Sequence, residues 1–156
     1  MFGTIVLALD GSQSSDRALE YAAALAGQHG STVHAVHVVE IMAGRGGGPV
    51  HLDADELKEK VRRQVAELGE RGVTADIEFH SVMTGGPAHV VADVARRVDA
   101  DVIVTGTRGH TALAGMLLGS VTQRLLHLAS CPVLVIPPGA TLRSVGEQSK
   151  AGVTSN

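Results

Sequence analysis

Residues 4–15, TIVLALDGSQSS, pass from a β-branched apolar run into a cluster of residues typical of turns and helix caps. The apolar half, TIVLAL, shows none of the polar–apolar alternation of a strand with one wet face, so it predicts a strand buried on both faces. The polar half predicts a turn and the start of a helix. Together they predict a strand–helix unit from the interior of a layered α/β protein.

The same strand-then-helix pattern recurs along the chain. Strands are predicted at residues 4–9, 32–39, 75–82, 101–106 and 132–137, and helices in the four intervals between them. Strands that alternate with helices and lack polar alternation predict an α/β fold with a single open parallel sheet and helices on both faces. The fifth strand has proline at both ends, which predicts a place at or near the edge of the sheet.

Three helix starts carry a local signal. Asp53 and Glu56 have the spacing of a capping box, and Ser120 and Gln123 have the same spacing at the last helix. Pro87 suits the first position of the third helix, where its missing N–H costs nothing. Each signal predicts a helix that begins at that point.

Length and composition limit the class of protein. The chain has 156 residues, enough for one domain, which we place at residues 1–138, with residues 139–156 as a polar, disordered tail. A net charge of −3 and 2% aromatic residues argue against nucleic acid as a partner. No apolar run is long enough for a membrane span, and the N-terminus lacks the pattern of a signal peptide. With a single cysteine, Cys131, these features predict a cytoplasmic protein without a membrane partner.

The ends of the strands are the places to look for a binding site. In a parallel α/β sheet, ligands bind beyond the carboxyl ends of the strands, where the strand order reverses. The first strand ends at Asp10, Gly11 and Ser12, the second at residues 38–40, and the fourth at Gly106. If the first and fourth strands are neighbours, Asp10 and Gly106 flank one crevice.

Residues 106–120, GTRGHTALAGMLLGS, have the features of an anion-binding loop. Gly106 and Gly109 allow a sharp turn and a close approach of the backbone to a ligand. Gly119 returns the chain to a helix whose first amides, at residues 120–122, have no intrahelical acceptors and attract an anion.

Each of these features also has a purely structural explanation. A Gly-Ser pair before a helix is usually an N-cap, and two glycines after a strand usually form a turn. Asp10 can cap the first helix, Arg108 can be a solvated surface charge, and Val38 can belong to the core. Their convergence on one rim of the predicted sheet favours a binding site.

The sequence resembles the universal stress protein family over about residues 1–138. ATP-binding members of that family carry the pattern G-x2-G-x9-G-(S/T), which Gly106, Gly109, Gly119 and Ser120 match without a gap. The first-strand end LDGS, the HVV of the second strand and the segment SCPVLVIP extend the likeness. The resemblance implies a Rossmann-like fold, similar to the adenine nucleotide alpha hydrolases, with strand order 3-2-1-4-5.

The resemblance also implies a nucleotide site. The phosphates of ATP would lie in the glycine loop, the backbone of Val38 would meet the adenine, and Asp10 would lie near the ribose and contact Mg²⁺ indirectly. The candidate nucleotide-binding residues are Asp10, Gly11, Ser12, Val38, Gly106, Arg108, Gly109, Gly119, Ser120, Val121 and Thr122. Arg108 occupies a variable position of the pattern, so its role stays open. Family members usually dimerise, often through the fifth strand, so a homodimer is expected.

The predicted function is that of an ATP-binding regulatory protein of the stress response with little or no hydrolysis. The sequence has no G-x4-G-K-[ST] motif and therefore no P-loop lysine to stabilise a transferred phosphoryl group. The alternatives are a slow ATP hydrolase, a binder of another adenine nucleotide such as cyclic AMP, and an interaction protein that binds no nucleotide. Cys131 is predicted to be an inert core thiol, and the eight histidines lack the spacing of zinc ligands.

Overall fold

The structure is a computed structural model that describes residues 2–41, 52–82, 86–107 and 118–142. Within these ranges, five strands alternate with four helices. In chain order they are β1 (Thr4–Ala8), α1 (Gln13–His29), β2 (Thr32–Glu40), α2 (Leu52–Glu70), β3 (Ala75–Val82), α3 (Pro87–Arg97), β4 (Val102–Gly106), α4 (Ser120–Leu128) and β5 (Val133–Ile136). Each strand lies where the sequence predicts it, and its ends differ from the prediction by at most one residue.

The strands form one parallel sheet in the order β3-β2-β1-β4-β5. β1 is the central strand and pairs with β2 on one side and with β4 on the other. β3 and β5 lie at the two edges. The predicted α/β fold, its strand order and the edge position of the fifth strand are therefore confirmed.

The core consists of two apolar layers, one on each face of the sheet. Ile5 and Leu7 of β1 pack into the layer under α1 and α2, and Val6 packs into the layer under α3 and α4. All three side chains are completely buried. Burying one such aliphatic side chain stabilises a fold by about 1.5–3 kcal/mol. The TIVLAL segment therefore is buried on both faces, as its composition predicts.

The helix starts agree only in part with the sequence signals. α1 is capped by Ser12, whose side-chain oxygen accepts a hydrogen bond from the N–H of Ser15 at 3.2 Å. α3 begins at Pro87, as predicted. α2 spans Leu52–Glu70, so the described helix begins one residue before Asp53. The structure does not describe the side chain of Asp53, and the capping box of Asp53 and Glu56 stays a prediction. A capping pattern places a helix start only to within one or two residues.

The chain remains attached to the domain just beyond residue 138. Ala140 packs against the core layer under α1 and α2, and its N–H donates to the carbonyl oxygen of Pro137 at 3.0 Å. The rest of the predicted tail, residues 143–156, and the glycine-rich residues 43–50 lie outside the described residues.

A charged network lies on the outer strand, β3. Glu78 pairs through one carboxylate oxygen with Arg97 of α3, and its other oxygen lies 3.1 Å from Nε2 of His80. The hydrogen bond from Arg97 lowers the pKa of Glu78 below its ordinary value of 4.5; partial burial acts against this, and His80 adds to it. A carboxyl group whose pKa is lowered on folding stabilises the folded state above its unfolded pKa, and this contribution is lost as the pH falls through its folded pKa.

We expect Glu78→Gln to remove an acid-dependent part of the stability. At neutral pH the wild type should be slightly more stable than the variant, since the ion pair is partly exposed and therefore weak. The difference should disappear as the pH falls from about 4.5 through the lowered pKa of Glu78. Urea denaturation at a series of pH values measures both free energies of unfolding. The stability of Arg97→Gln should lack the same pH dependence. The prediction is contradicted if the difference in free energy of unfolding between wild type and Glu78→Gln stays constant down to acidic pH.

Candidate functional site at the switch point

The strand order reverses at β1. The chain leaves β1 towards β2 and β3 and later returns to the other side of β1 as β4. Pairing between β1 and β4 ends at Leu7 and Val104, and pairing between β1 and β2 ends at Ala8 and Val36. Beyond these residues β1 is no longer paired with either neighbour. This place, at the carboxyl edge of the sheet where the strand order reverses, corresponds to the crevice in which open α/β sheets bind ligands.

One wall of the crevice is the turn between β1 and α1. An Asp10 carboxylate oxygen accepts a hydrogen bond from the N–H of Ser12 at 3.0 Å. Gly11 between them has a φ of 77°, a left-handed conformation that favours glycine. Ser12 then caps α1. Asp10 thus shapes the turn. Because Ser12 is the N-cap of α1, the alternative that Asp10 caps this helix is wrong.

A lysine that the sequence does not single out also reaches this turn. Nζ of Lys60, on α2, donates to the carbonyl oxygen of Gly11 at 2.9 Å and to the carboxylate of Asp16 at 3.1 Å. The other Asp16 oxygen accepts from the side-chain amide of Gln64 at 2.9 Å. Lys60 is one of many charged residues on the helix, so its spacing carries no signal. Only the packing of α2 beside α1 reveals that Lys60 holds the turn between β1 and α1.

The end of β4 forms the opposite wall. Gly106 is buried in the strand, and a Cβ there would lie 2.4 Å from Oγ and 2.8 Å from the backbone carbon of Ser14, on α1. The sequence explanation of Gly106, a turn that brings bare backbone to a ligand, therefore needs correction. The residue lies in regular strand, and its missing side chain makes room for the first turn of α1.

The loop between β4 and α4 is closed at its base. The Thr107 N–H donates to the carbonyl of Ile136 at 3.0 Å, and the Thr107 carbonyl accepts from the N–H of Gly119 at 2.7 Å. The Ser14 hydroxyl lies 3.4 Å from both the Thr107 hydroxyl and the Ile136 carbonyl oxygen. Arg108 and Gly109, two of the candidate residues, lie outside the described residues. The described ends of the loop are nevertheless joined to each other and to α1.

The first turn of α4 faces the same crevice. Its N-cap is Gly119, with φ −70° and ψ 155°, and within the described residues no side chain makes a capping hydrogen bond. Ser120 is the exposed first residue of the helix, so the predicted Ser120–Gln123 capping box is wrong. The buried Thr122 turns its hydroxyl back to the carbonyl of Gly106, at 2.8 Å. Thr122 therefore ties α4 to β4 by its side chain, while the first amides of the helix lack intrahelical acceptors.

The structure brings most of the sequence-predicted candidates to one edge of the sheet. They lie on the turn after β1, on the outer part of β2, at the end of β4 and at the start of α4. The candidates that the structure describes there are Asp10, Gly11, Ser12, Val38, Gly106, Gly119, Ser120, Val121 and Thr122. The N-termini of α1 and α4 direct their positive dipole ends to this edge. Such an arrangement binds an anionic group by backbone N–H donors.

Cys131 plays no part in this edge of the sheet. It is half-buried at the amino end of β5, and burial raises the pKa of its thiol, with Asp101 adding to the rise. Reactive cysteines have a lowered pKa. The environment of Cys131 therefore agrees with the prediction of an inert thiol.

These strand ends and helix starts define a doubly wound α/β protein whose strand order reverses at β1, the position at which proteins of this class bind ligands. A model of the universal stress protein family matches residues 1–137. The chain therefore belongs to the universal stress protein family. A universal stress protein from Thermus aquaticus is 37% identical to this chain over 140 residues, which cover 87% of this chain and 99% of the relative. Another from Methanocaldococcus jannaschii is 33% identical over 140 residues, covering 87% and 82%.

Solved structures of universal stress proteins share the fold. One from Archaeoglobus fulgidus, solved in complex with dAMP, matches with a TM-score of 0.63 and 25% identity over 87% of this chain and 98% of that chain. Another, solved in complex with cAMP, matches with a TM-score of 0.63 and 25% identity over 88% and 98%. Both of these related proteins bind an adenine nucleotide.

We expect Gly106→Ala to destabilise the fold. Its Cβ would overlap Ser14, including backbone that cannot move without shifting α1, and such overpacking costs about 1–3 kcal/mol. Gly27→Ala is the matched control, because a Cβ on Gly27 of α1 meets nothing within 4 Å and alanine favours the helix. Chemical denaturation measures both free energies of unfolding. The explanation of Gly106 is wrong if its variant unfolds at the same denaturant concentration as the wild type.

Proposed function

We propose that this chain binds ATP, together with Mg²⁺, in the switch-point crevice and acts as a nucleotide-responsive regulatory module of the stress response. The observation that carries the proposal is the first turn of α4, which begins beside the end of β4 with Gly119 as its N-cap, a residue that has no side chain to accept from the first amides. An α-helix start without a side-chain acceptor favours an anionic ligand. The cAMP and dAMP bound by two relatives of the same fold support an adenine nucleotide as the class of ligand.

The phosphate end of the site is proposed at the loop between β4 and α4. Gly119 has a φ of −70°, which any residue can adopt, so its backbone conformation does not call for glycine. A need for close approach by a phosphate explains the choice of glycine. The amides of Ser120 and Val121 would then donate to phosphate oxygens, with Arg108 and Gly109 of the same loop as further candidates.

The base and ribose are proposed to lie nearer to β1 and β2. The Val38 backbone would meet the adenine, and Asp10 would lie near the ribose and the metal. Within the described ranges, no group of three or more histidine, cysteine or acidic residues could hold a metal ion. Mg²⁺ would therefore be bound mainly by phosphate oxygens and water, as is usual for this ion.

A second adenine nucleotide is a competing ligand. cAMP and dAMP, the ligands of the two relatives, each carry one phosphate, which favours a nucleoside monophosphate as the alternative ligand. Competition of cAMP and AMP against labelled Mg-ATP decides between them. If cAMP displaces labelled Mg-ATP more strongly than unlabelled ATP does, cAMP becomes the proposed ligand in place of ATP.

Gly119→Val tests the phosphate site. A branched side chain there should obstruct a phosphate and weaken Mg-ATP binding by about tenfold or more, equivalent to about 1.4 kcal/mol. Calorimetric titration measures the affinity, and mass spectrometry of the molecule released on denaturation identifies any nucleotide carried through purification. Gly27→Val, at the far end of α1, should bind like the wild type. Equal affinity of Gly119→Val and wild type would contradict the phosphate site.

We also propose a homodimer formed through β5. Within the part of the chain that the structure describes, β5 pairs on one side only, with β4. Its Leu134 is 36% exposed, and an apolar edge strand of this kind needs a cover. A second copy of β5 would provide one.

Leu134→Asp tests the dimer. A carboxylate on the edge strand should repel the same residue of the second copy and shift the molecular mass measured by light scattering from two chains to one. Ile41→Asp is the control, since Ile41 is 43% exposed but directly follows β2, away from β5. The β5 interface is wrong if Leu134→Asp retains the mass of two chains.

The proposed location is the cytoplasm. The single cysteine fits a reducing compartment. Within the described residues, no helix combines the length and the apolar character needed to cross a membrane. Fractionation of cells that produce the tagged full chain tests the location.

A further inference from the structure

His37, on β2, is only 2% exposed and lies beside the crevice. Its Nδ1 is 2.7 Å from the carbonyl oxygen of Leu9, the first residue after β1. A carbonyl oxygen can only accept, so Nδ1 carries the hydrogen and donates it. The ring also packs edge-on against Phe79, with ring centroids 5.8 Å apart. A histidine side chain thus holds the carbonyl at the point where β1 ends.

The register of β2 shows which backbone bond this side chain replaces. In a parallel sheet, alternate residues of a strand direct both their N–H and C=O to the same neighbouring strand. Val36 faces β1, because its carbonyl accepts from the Leu9 N–H at 2.9 Å. Val33 faces β3, because its N–H donates to the carbonyl oxygen of Thr74 at 2.8 Å. Val38 follows Val36 by two residues and therefore faces the β1 side. In a continuing ladder, the Val38 N–H would donate to the Leu9 carbonyl.

The ladder does not continue. The register of β1 with β2 ends at Ala8 and Val36, whereas β2 itself runs on to Glu40, paired with β3. Among the described residues, no backbone hydrogen bond joins Val38 to Leu9 or to the turn that follows it. Val38 therefore directs one donor and one acceptor into the crevice, from a strand that β3 holds in place on its other side.

We propose that His37 is a positioning residue for base recognition, which keeps the Val38 backbone N–H and C=O available to a nucleobase by occupying the Leu9 carbonyl. This inference rests on the proposed function. A base edge with an acceptor beside a donor, such as N1 and the 6-amino group of adenine, matches the two backbone groups of Val38. Without the His37 donor, the Leu9 carbonyl would turn to the Val38 N–H, because a buried carbonyl requires a partner. The base would then lose its own partner.

Two variants separate the donor from the ring. His37→Phe keeps an aromatic ring and loses the donor. His37→Asn loses the ring but carries an amide nitrogen the same number of bonds from the backbone as Nδ1. His34→Phe is the matched control, because His34 lies on the same strand, three residues away and on the opposite face, with its ring 3.0 Å from Asp76.

The first measurement needs no ligand. Amide hydrogen exchange, followed by NMR in the free protein, reports whether the Val38 N–H is bonded within the sheet. We expect fast exchange at Val38 in the wild type, His37→Asn and His34→Phe, and slow exchange in His37→Phe. A Val38 amide that is already protected in the wild type, or that exchanges equally fast in His37→Phe, would overturn the inference.

The second measurement compares the affinity for Mg-ATP with that for Mg-tripolyphosphate, which has no base. His37→Phe should bind Mg-ATP about tenfold more weakly, the effect of one lost hydrogen bond to the base, and tripolyphosphate as well as the wild type does. His37→Asn and His34→Phe should retain the affinity for Mg-ATP. Equal losses for both probes, or no rescue by His37→Asn, would assign His37 a general structural role instead. Absence of Mg-ATP binding by the wild type would overturn the proposed function. Hydrogen exchange at Val38 would still decide whether His37 keeps the Val38 N–H free of a bond to Leu9.

Discussion

β1 is buried on both faces, and the positions of the other elements follow from this constraint. Ile5 and Leu7 on one face and Val6 on the other are shielded from water, so helices must cover the sheet on both sides. Because β1 also has parallel neighbours at both edges, the chain must leave it in one direction and return on the other. The switch point and its crevice are therefore a consequence of the central position of β1.

At the crevice, side chains take over the hydrogen bonds that a continuing sheet would make. The Leu9 carbonyl accepts from the ring of His37, and the Gly106 carbonyl accepts from the hydroxyl of Thr122. These donors satisfy the two carbonyls beyond the points at which β1 pairs with β2 and β4. The same bonds couple the candidate site to the core, since His37 and Thr122 are both buried.

Most of the fold can be predicted from the sequence, whereas the site can be predicted only in outline. Local composition identifies the five strands, and Asp10, Gly106 and Gly119 are found as residues at strand ends or helix starts. The roles that the sequence predicts for individual residues agree less well with the structure. Ser120 has the spacing of a cap, yet Gly119 occupies that position, and its N–H is bonded to the carbonyl of Thr107. Lys60 carries no signal at all, because its contact with Gly11 depends on how α2 packs beside α1.

The sequence by itself determined the α/β class, the order of the elements along the chain and the family pattern of the glycine loop. These properties are written in neighbouring residues, because burial on both faces, turns and helix starts depend on local composition. Only the tertiary structure decided that Gly106 makes room for Ser14 and that His37 holds the carbonyl of Leu9. Those pairs are far apart in the chain and meet only when α1, β1, β2 and β4 pack together. Their chemistry therefore depends on distances that no local pattern of residues specifies.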